Sequence, residues 1–96
     1  MITQQSVVTI APDRLASELE GEMVVLDLKS GAYYGLNEVG TDIWKAIEEP
    51  KSVSEVIEIV VTKYDVEKEQ CKQDTIALLQ ELEATGLIEV KDAAMA

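Results

Sequence analysis

Histidine is absent from this 96-residue sequence, and cysteine occurs once, at Cys71. One thiol and no imidazole exclude zinc and iron–sulfur centres built from their usual ligands. Ser-His-Asp and Cys-His nucleophilic arrangements are excluded for the same reason. A lone cysteine also rules out an internal disulfide. No Walker loop and no G-x-G-x-x-G stretch occurs. No apolar run approaches the roughly 20 residues that a bilayer-spanning helix needs. The N-terminus, MITQQS, lacks the basic flank and apolar core of a signal peptide. Together these absences predict a cytoplasmic chain that is not an enzyme and carries neither metal nor cofactor.

Basic residues are scarce. Eight Lys and Arg stand against 19 Asp and Glu, a formal charge of −11. So acidic a surface repels phosphate backbones and anionic membranes, so neither nucleic acid nor membrane is an expected partner. It favours partners carrying positive charge, which long-range steering helps to arrive.

What is present reads as one small domain over 1–96, with an ordered core at about 7–90. Residues 31–44, GAYYGLNEVGTDIW, mark its turning point. Tyr33, Tyr34 and Leu36 favour an extended backbone. Asn37 is placed to cap a helix whose apolar residues Val39, Ile43, Trp44 and Ile47 fall on one stripe. Strands are expected before this point, at about 7–11, 22–28 and 32–36. Residues 13–21 read as a connection, with Leu15, Ala16 and Leu19 spaced for one helical turn. Turn chemistry at Lys29–Ala32 makes the second and third strands a hairpin.

Three helices are expected after it, at about 38–48, 53–64 and 67–85. Ser52 and Glu55 form a capping box for the second. Gly86 ends the third in a left-handed conformation, an extended stretch follows at 87–90, and residues 91–96 read as a loose tail. Strands followed by helices imply an α+β domain with helices on one side of a three-stranded antiparallel sheet. On the third helix Cys71, Thr75, Leu78, Leu79 and Leu82 share the core stripe, and Ile76, Leu79 and Glu83 flank it. Cys71 accordingly reads as a small buried hydrophobe.

The ordered set Tyr34-Gly-Leu-Asn37, Gly40, Ile43-Trp44, Ser52-Val-Ser-Glu55, Tyr64, Leu78-Leu-Gln-Glu-Leu82 and Gly86-Leu-Ile88 resembles the PqqD family. The resemblance implies a winged helix-turn-helix that recognises ribosomally made, modified peptides without catalysis. It implies that the leader segment of a precursor adds a strand to the third strand and lies against the third helix. It also implies a partner enzyme: the chain is most similar to the stand-alone lasso-peptide type, which works with a leader-cleaving cysteine protease and a cyclase, and the alternative is the radical enzyme of quinone-cofactor synthesis. The edge of the third strand is expected to be free, with Gly35 allowing close backbone approach. The leader-binding residues are accordingly expected to be Tyr33, Tyr34, Gly35 and Leu36 on the strand and Lys72, Thr75, Ile76, Leu79 and Glu83 on the helix. The opposite flank, Cys71, Asp74, Leu78 and Glu81, is the alternative, since helix rotation is open. The rival function is a winged-helix transcription regulator. Against it, the third helix carries five acidic and two basic residues, a net −3.

Overall fold

A computed structural model describes residues 2–92. In chain order the elements are β1 (Ser6–Ile10), β2 (Arg14–Leu19), β3 (Glu22–Asp27), β4 (Tyr33–Leu36), α1 (Glu38–Ala46), β5 (Lys51–Ser52), α2 (Val53–Tyr64), α3 (Lys68–Ala84) and β6 (Ile88–Asp92). They form an α+β winged helix-turn-helix with three helices and antiparallel sheets.

The sheets differ from expectation in membership. β1 does not join the β3–β4 hairpin. It pairs with β5 and β6 in one sheet, while β2, β3 and β4 form another. The segment expected to be a connection with a helical turn is therefore the strand β2. Its cause is the Glu20-Gly21 loop, in which both residues have positive φ, 54° and 83°. Two left-handed residues between directly opposed Leu19 and Glu22 make a hairpin whose twist matches its strands. The expected tail likewise begins as strand, since Lys91 lies opposite Val7 in the β1–β6 ladder. Residues 93–96 of that tail lie outside the described residues. The N-terminal segment is anchored: Ile2 is buried, and Thr3 N–H donates to the buried Ser6 Oγ at 3.0 Å.

The helix signals act as expected. Asn37 Oδ1 accepts from Gly40 N–H at 2.8 Å and caps α1. Ser52 and Glu55 close the capping box of α2. At the end of α3, Gly86 has φ 81°, Gly86 N–H donates to the Glu83 carbonyl, and Leu87 N–H donates to the Leu82 carbonyl. This pairing buries Leu87 completely and turns the chain into β6. The core gathers Val8 of one sheet, Met23 and Val25 of the other, and Ile43, Trp44, Ile57 and Leu79 of the helices.

Arg14 joins the two sheets. Its side chain is 11% exposed and lies 3.6 Å from the Asp27 carboxylate. Its guanidinium donates to the Pro12 carbonyl at 2.6 Å and to the Gly86 carbonyl at 2.8 Å. The last contact ties β2 to the α3–β6 corner. Asp27 is also held below the ordinary carboxylate range, first by the Lys29 backbone N–H, with Ser30 and the Arg14 charge adding to it against the opposing effect of burial. Replacing Arg14 by Met keeps the aliphatic stem and removes these bonds. Arg14→Met is expected to cost about 1.5–3 kcal/mol, the range for hydrogen bonds to a charged group. A urea titration reads this as a lower midpoint at unchanged slope. An unmoved midpoint would mean that the clasp adds nothing to holding the sheets together.

Candidate functional site

The β2-β3-β4 sheet leaves β4 with a partner on one side only. Among the described residues no strand covers its outer edge, which is therefore a row of backbone donors and acceptors open to an incoming chain. The register gives β4 two faces. Tyr34 and Leu36 lie opposite Val25 and Met23 on the core side, whereas Tyr33 and Gly35 lie opposite Leu26 and Val24 on the outer side. Leu36 is buried and Tyr33 is 74% exposed. A Cβ added to Gly35 would meet no atom within 4 Å, so the backbone there is approachable from outside the sheet.

A groove of about 430 Å³ separates the β4 edge from α3. Tyr33–Leu36 form one wall, and Leu78, Glu81, Leu82 and Thr85 form the other. Past Asn37, Gly40 and Leu78, which line both, the groove opens into a hollow of about 610 Å³ between α1, the end of α2 and the first half of α3. Val39, Ile43, Val60 and Val66 give this hollow apolar walls, and Glu67, Asp74 and Glu81 give the whole groove an acidic rim. Among its described lining residues there is no lysine or arginine. Gly40 keeps the junction open: its added Cβ would lie 3.3 Å from both Asn37 Oδ1 and Leu36 Cβ.

This geometry places the expected residues unequally. Tyr33, Tyr34, Gly35 and Leu36 line the groove, and Thr75 borders the adjoining hollow, 98% buried. Lys72 and Ile76 do not face β4. They line a separate hollow with Ile2–Gln5 and Ser54 on the other flank of α3. Leu79 is fully buried in the core, and Glu83 is exposed outside the groove. The flank turned toward the strand is the alternative one, Leu78 with Glu81, and Cys71 and Asp74 border the hollow beyond. The physical reason is the rotation of α3, set by the buried row Cys71, Thr75, Leu79 and Leu82. Leu82, Thr85 and the α1–α2 wall line the groove and hollow without being among the expected leader-binding residues. Val39 and Val66, exposed apolar residues next to helix starts, were the available signal.

Cys71 is buried, with its Sγ 3.8 Å from Thr75 Oγ1, as a small core residue would be. Tyr64 closes the far end of the hollow. Its hydroxyl donates to the Asp42 carboxylate, which also accepts from Lys63 Nζ at 2.9 Å. These bonds tie α1 to α2. They hold Asp42 below the ordinary carboxylate range, with the Tyr64 bond the largest cause. The Tyr64 hydroxyl is pushed up to about 12, because ionising it would forfeit that bond and set two anions together.

These features define a class: a small α+β winged helix-turn-helix that offers one open strand edge across a groove from a helix. The chain belongs to the family described as Coenzyme PQQ synthesis protein D (PqqD), whose sequence pattern matches residues 22–88. It is similar to a solved structure of TbiB1 in complex with the TbiA(beta) leader peptide, at 30% identity and a TM-score of 0.79, covering 84% of this chain and 94% of that one. It is also similar to a lasso peptide synthetase B1 complexed with its leader peptide, at 26% identity and a TM-score of 0.76, covering 85% and 96%. No curated protein matches it by sequence. Among the described residues no helix is long and apolar enough to cross a membrane.

The Tyr64–Asp42 bond carries a pH signature. The folded pKa of Tyr64 lies above the unfolded value near 10, so folding favours the neutral phenol. Its contribution is complete below pH 10 and is lost as pH rises toward about 12. Wild type is therefore expected to be more stable than Tyr64→Phe at neutral pH, with the difference shrinking above pH 10. Urea midpoints of the two proteins across that window measure it. A difference that stays constant would show that the phenol does not hold its proton for Asp42.

Proposed function

We propose that this chain is a non-catalytic recognition protein for a ribosomal precursor peptide. The leader segment adds an antiparallel strand to the free edge of β4, and its inward side chains enter the groove against Leu78 and Leu82 of α3. Backbone bonds along β4 supply affinity, and the apolar hollow beyond Gly40 supplies selectivity. The core segment of the peptide is left projecting toward a processing enzyme, in the lasso manner a leader-cleaving cysteine protease and a cyclase. The chain works in the cytoplasm as one domain.

One observation carries this reading: an uncovered β4 edge facing α3, in a chain similar to two proteins solved with leader peptides. The chemistry of the chain agrees with a binding role. It has no histidine, and its single thiol is buried. The charge of α3 disfavours the DNA-reading use of the same fold, because neutralising phosphates needs the opposite sign. The family description itself favours, as a second reading, the corresponding peptide-chaperone role in quinone-cofactor synthesis. Binding assays with the two kinds of precursor leader distinguish the two.

Fluorescence polarisation of a labelled leader tests the groove. Leu78→Asp places a charge between β4 and α3 and is expected to weaken binding by about 2 kcal/mol, roughly thirtyfold. Ile76→Asp, on the opposite flank, is expected to stay within about threefold of wild type, as a change outside the contact region does. Circular dichroism checks that both variants fold. The reverse pattern would move the leader to the Lys72–Ile76 flank.

Salt gives an independent measure. The acidic rim of Glu67, Asp74 and Glu81 is expected to speed association of a leader or enzyme bearing basic residues. Stopped-flow association rates should fall as salt rises while dissociation rates change little. Rates that ignore salt would confine the acidity to a role in solubility.

A further inference from the structure

The β2-β3-β4 sheet has a second edge, at β2. Among the described residues no strand covers it, and it is six residues long where β4 has four. Alternation decides which backbone groups it offers. Leu28 N–H donates to the Asp13 carbonyl at 3.1 Å, which places that carbonyl in the ladder between β2 and β3. Leu15, Ser17 and Leu19 follow at intervals of two and bond to β3, so Arg14, Ala16 and Glu18 turn their N–H and C=O groups outward. The edge lacks most of the usual guards: it has no lysine, no proline and, with its six residues opposed one to one to β3, no bulge. Its one carboxylate, Glu18, is held by Lys45 of α1 at 2.6 Å, and Arg14 is engaged by Asp27 and the Gly86 carbonyl. Leu15 and Leu19 are 59% and 72% exposed.

We propose that β2 pairs antiparallel with β2 of a second copy, about a two-fold axis at Ser17. A two-fold contact sets the same surface against itself, so the strand must be complementary to its own reverse. This register meets that condition. Ala16 and Glu18 of one copy lie opposite Glu18 and Ala16 of the other, so the outward N–H and C=O groups meet in two bonded pairs. At both ends Leu15 lies opposite Leu19 of the second copy, in non-bonded positions, where cross-strand side chains approach most closely. Ser17 meets its own equivalent. The neighbouring registers are worse: an axis at Glu18 sets Glu18 against itself, and an axis at Ala16 sets Leu15 against Ser17. A free peptide fits this edge less well than a second copy. None of the three hollows described above touches β2, so a peptide would gain backbone bonds without side-chain pockets. The opposing effect is net charge: two chains of −11 repel, so pairing is weak at low salt and strengthens as salt screens them. The joined sheet runs β4-β3-β2-β2-β3-β4, with an open β4 edge at each far end. On the leader-binding reading, each edge takes its own peptide.

Sedimentation velocity of the full chain over a concentration series, without leader, is expected to show a monomer–dimer equilibrium that shifts toward dimer as salt rises. Ala16→Pro removes an outward N–H and spares the ladder with β3, a position where an edge strand tolerates proline. Each copy then loses one bond of the contact, and dimerisation is expected to weaken by about tenfold or more. Ser17→Lys and Ser17→Glu each place like charges directly opposite across the axis, and each alone is expected to abolish the dimer. Mixed in equal amounts, the two variants are expected to dimerise again, because the introduced lysine of one chain faces the introduced glutamate of the other. Circular dichroism checks folding, and the Ser17 variants decide the outcome if Ala16→Pro does not fold. A wild type that stays monomeric at every concentration and salt would overturn the proposal, as would a dimer that survives in the folded variants. A mixture of the Ser17 variants that stays monomeric would remove the axis at Ser17 and the proposal with it. Leader affinity, read separately by fluorescence polarisation, is expected to stay within about twofold of wild type in every variant, since β4 and α3 are untouched. Failure of wild type to bind the leader removes the leader-binding reading and leaves the dimer standing.

Discussion

The rotation of α3 about its own axis is the constraint on which the site depends. Cys71, Thr75, Leu79 and Leu82 recur at intervals of four, four and three, and all are buried. That row packs inward on α2 and the sheets, because leaving Leu79 or Leu82 in water would forfeit several kcal/mol, on the order of 1.5–3 for each side chain. Once the row is fixed, every other position on the helix is fixed too. Leu78 and Glu81 turn to β4, and Lys72 and Ile76 turn to the N-terminal segment. A rotation large enough to bring Ile76 toward β4 would carry the buried row out of the core. The groove wall is thus a consequence of core packing.

The two sheets are held in place around that helix from both ends. The turn at Gly86 closes α3 with Leu87 N–H on the Leu82 carbonyl, which starts β6 beside β1. Arg14 reaches the Gly86 carbonyl from β2 and so links the same corner to the other sheet. At the opposite side, Lys45 of α1 meets Glu18 of β2, and Asn37 caps α1 directly after β4. The β4 strand therefore enters the groove from a hairpin and leaves it into a helix cap, with both its ends anchored.

Local chemistry was legible in the sequence, and long-range pairing was not. Asn37, the Ser52–Glu55 box and Gly86 each act within three or four residues, so the signal and its effect lie together. The hairpin of β3 and β4 is equally local. β2 escaped because Leu15, Ala16 and Leu19 fit a helical turn as well as a strand. What decides is the Glu20-Gly21 loop, in which a glutamate takes a positive φ of 54° that its side chain does not advertise. The division into two sheets escaped because β1 finds its partners at β5 and β6, far along the chain, through backbone bonds that leave no mark on residue type. For the candidate groove, the strand wall Tyr33–Leu36 could be read from strand pattern and edge position. The helix wall could not, because Leu78 and Leu79 are adjacent leucines. Only packing determines which of them faces the core.

An open strand edge is a hazard, since it pairs as readily with a second copy as with a ligand. β4 lacks most of the usual safeguards: it has no lysine, no proline and no bulge, and Gly35 lowers the steric barrier further. Two features of the molecule offset this. The strand is four residues long, so a chance pairing gains few backbone bonds. The groove beside it is rimmed by Glu67, Asp74 and Glu81, and any second copy brings the same charge of −11. Self-pairing then faces like-charge repulsion, while a peptide with apolar and basic residues meets attraction at long range and apolar walls at short range. The acidity that disfavours phosphate backbones thus also protects the edge that the fold leaves open. A short edge alone would bind a peptide weakly. On the proposed leader-binding reading, the adjoining hollow at Val39, Val60 and Val66 would add side-chain burial to those few backbone bonds, and selectivity would come from residues outside the strand itself.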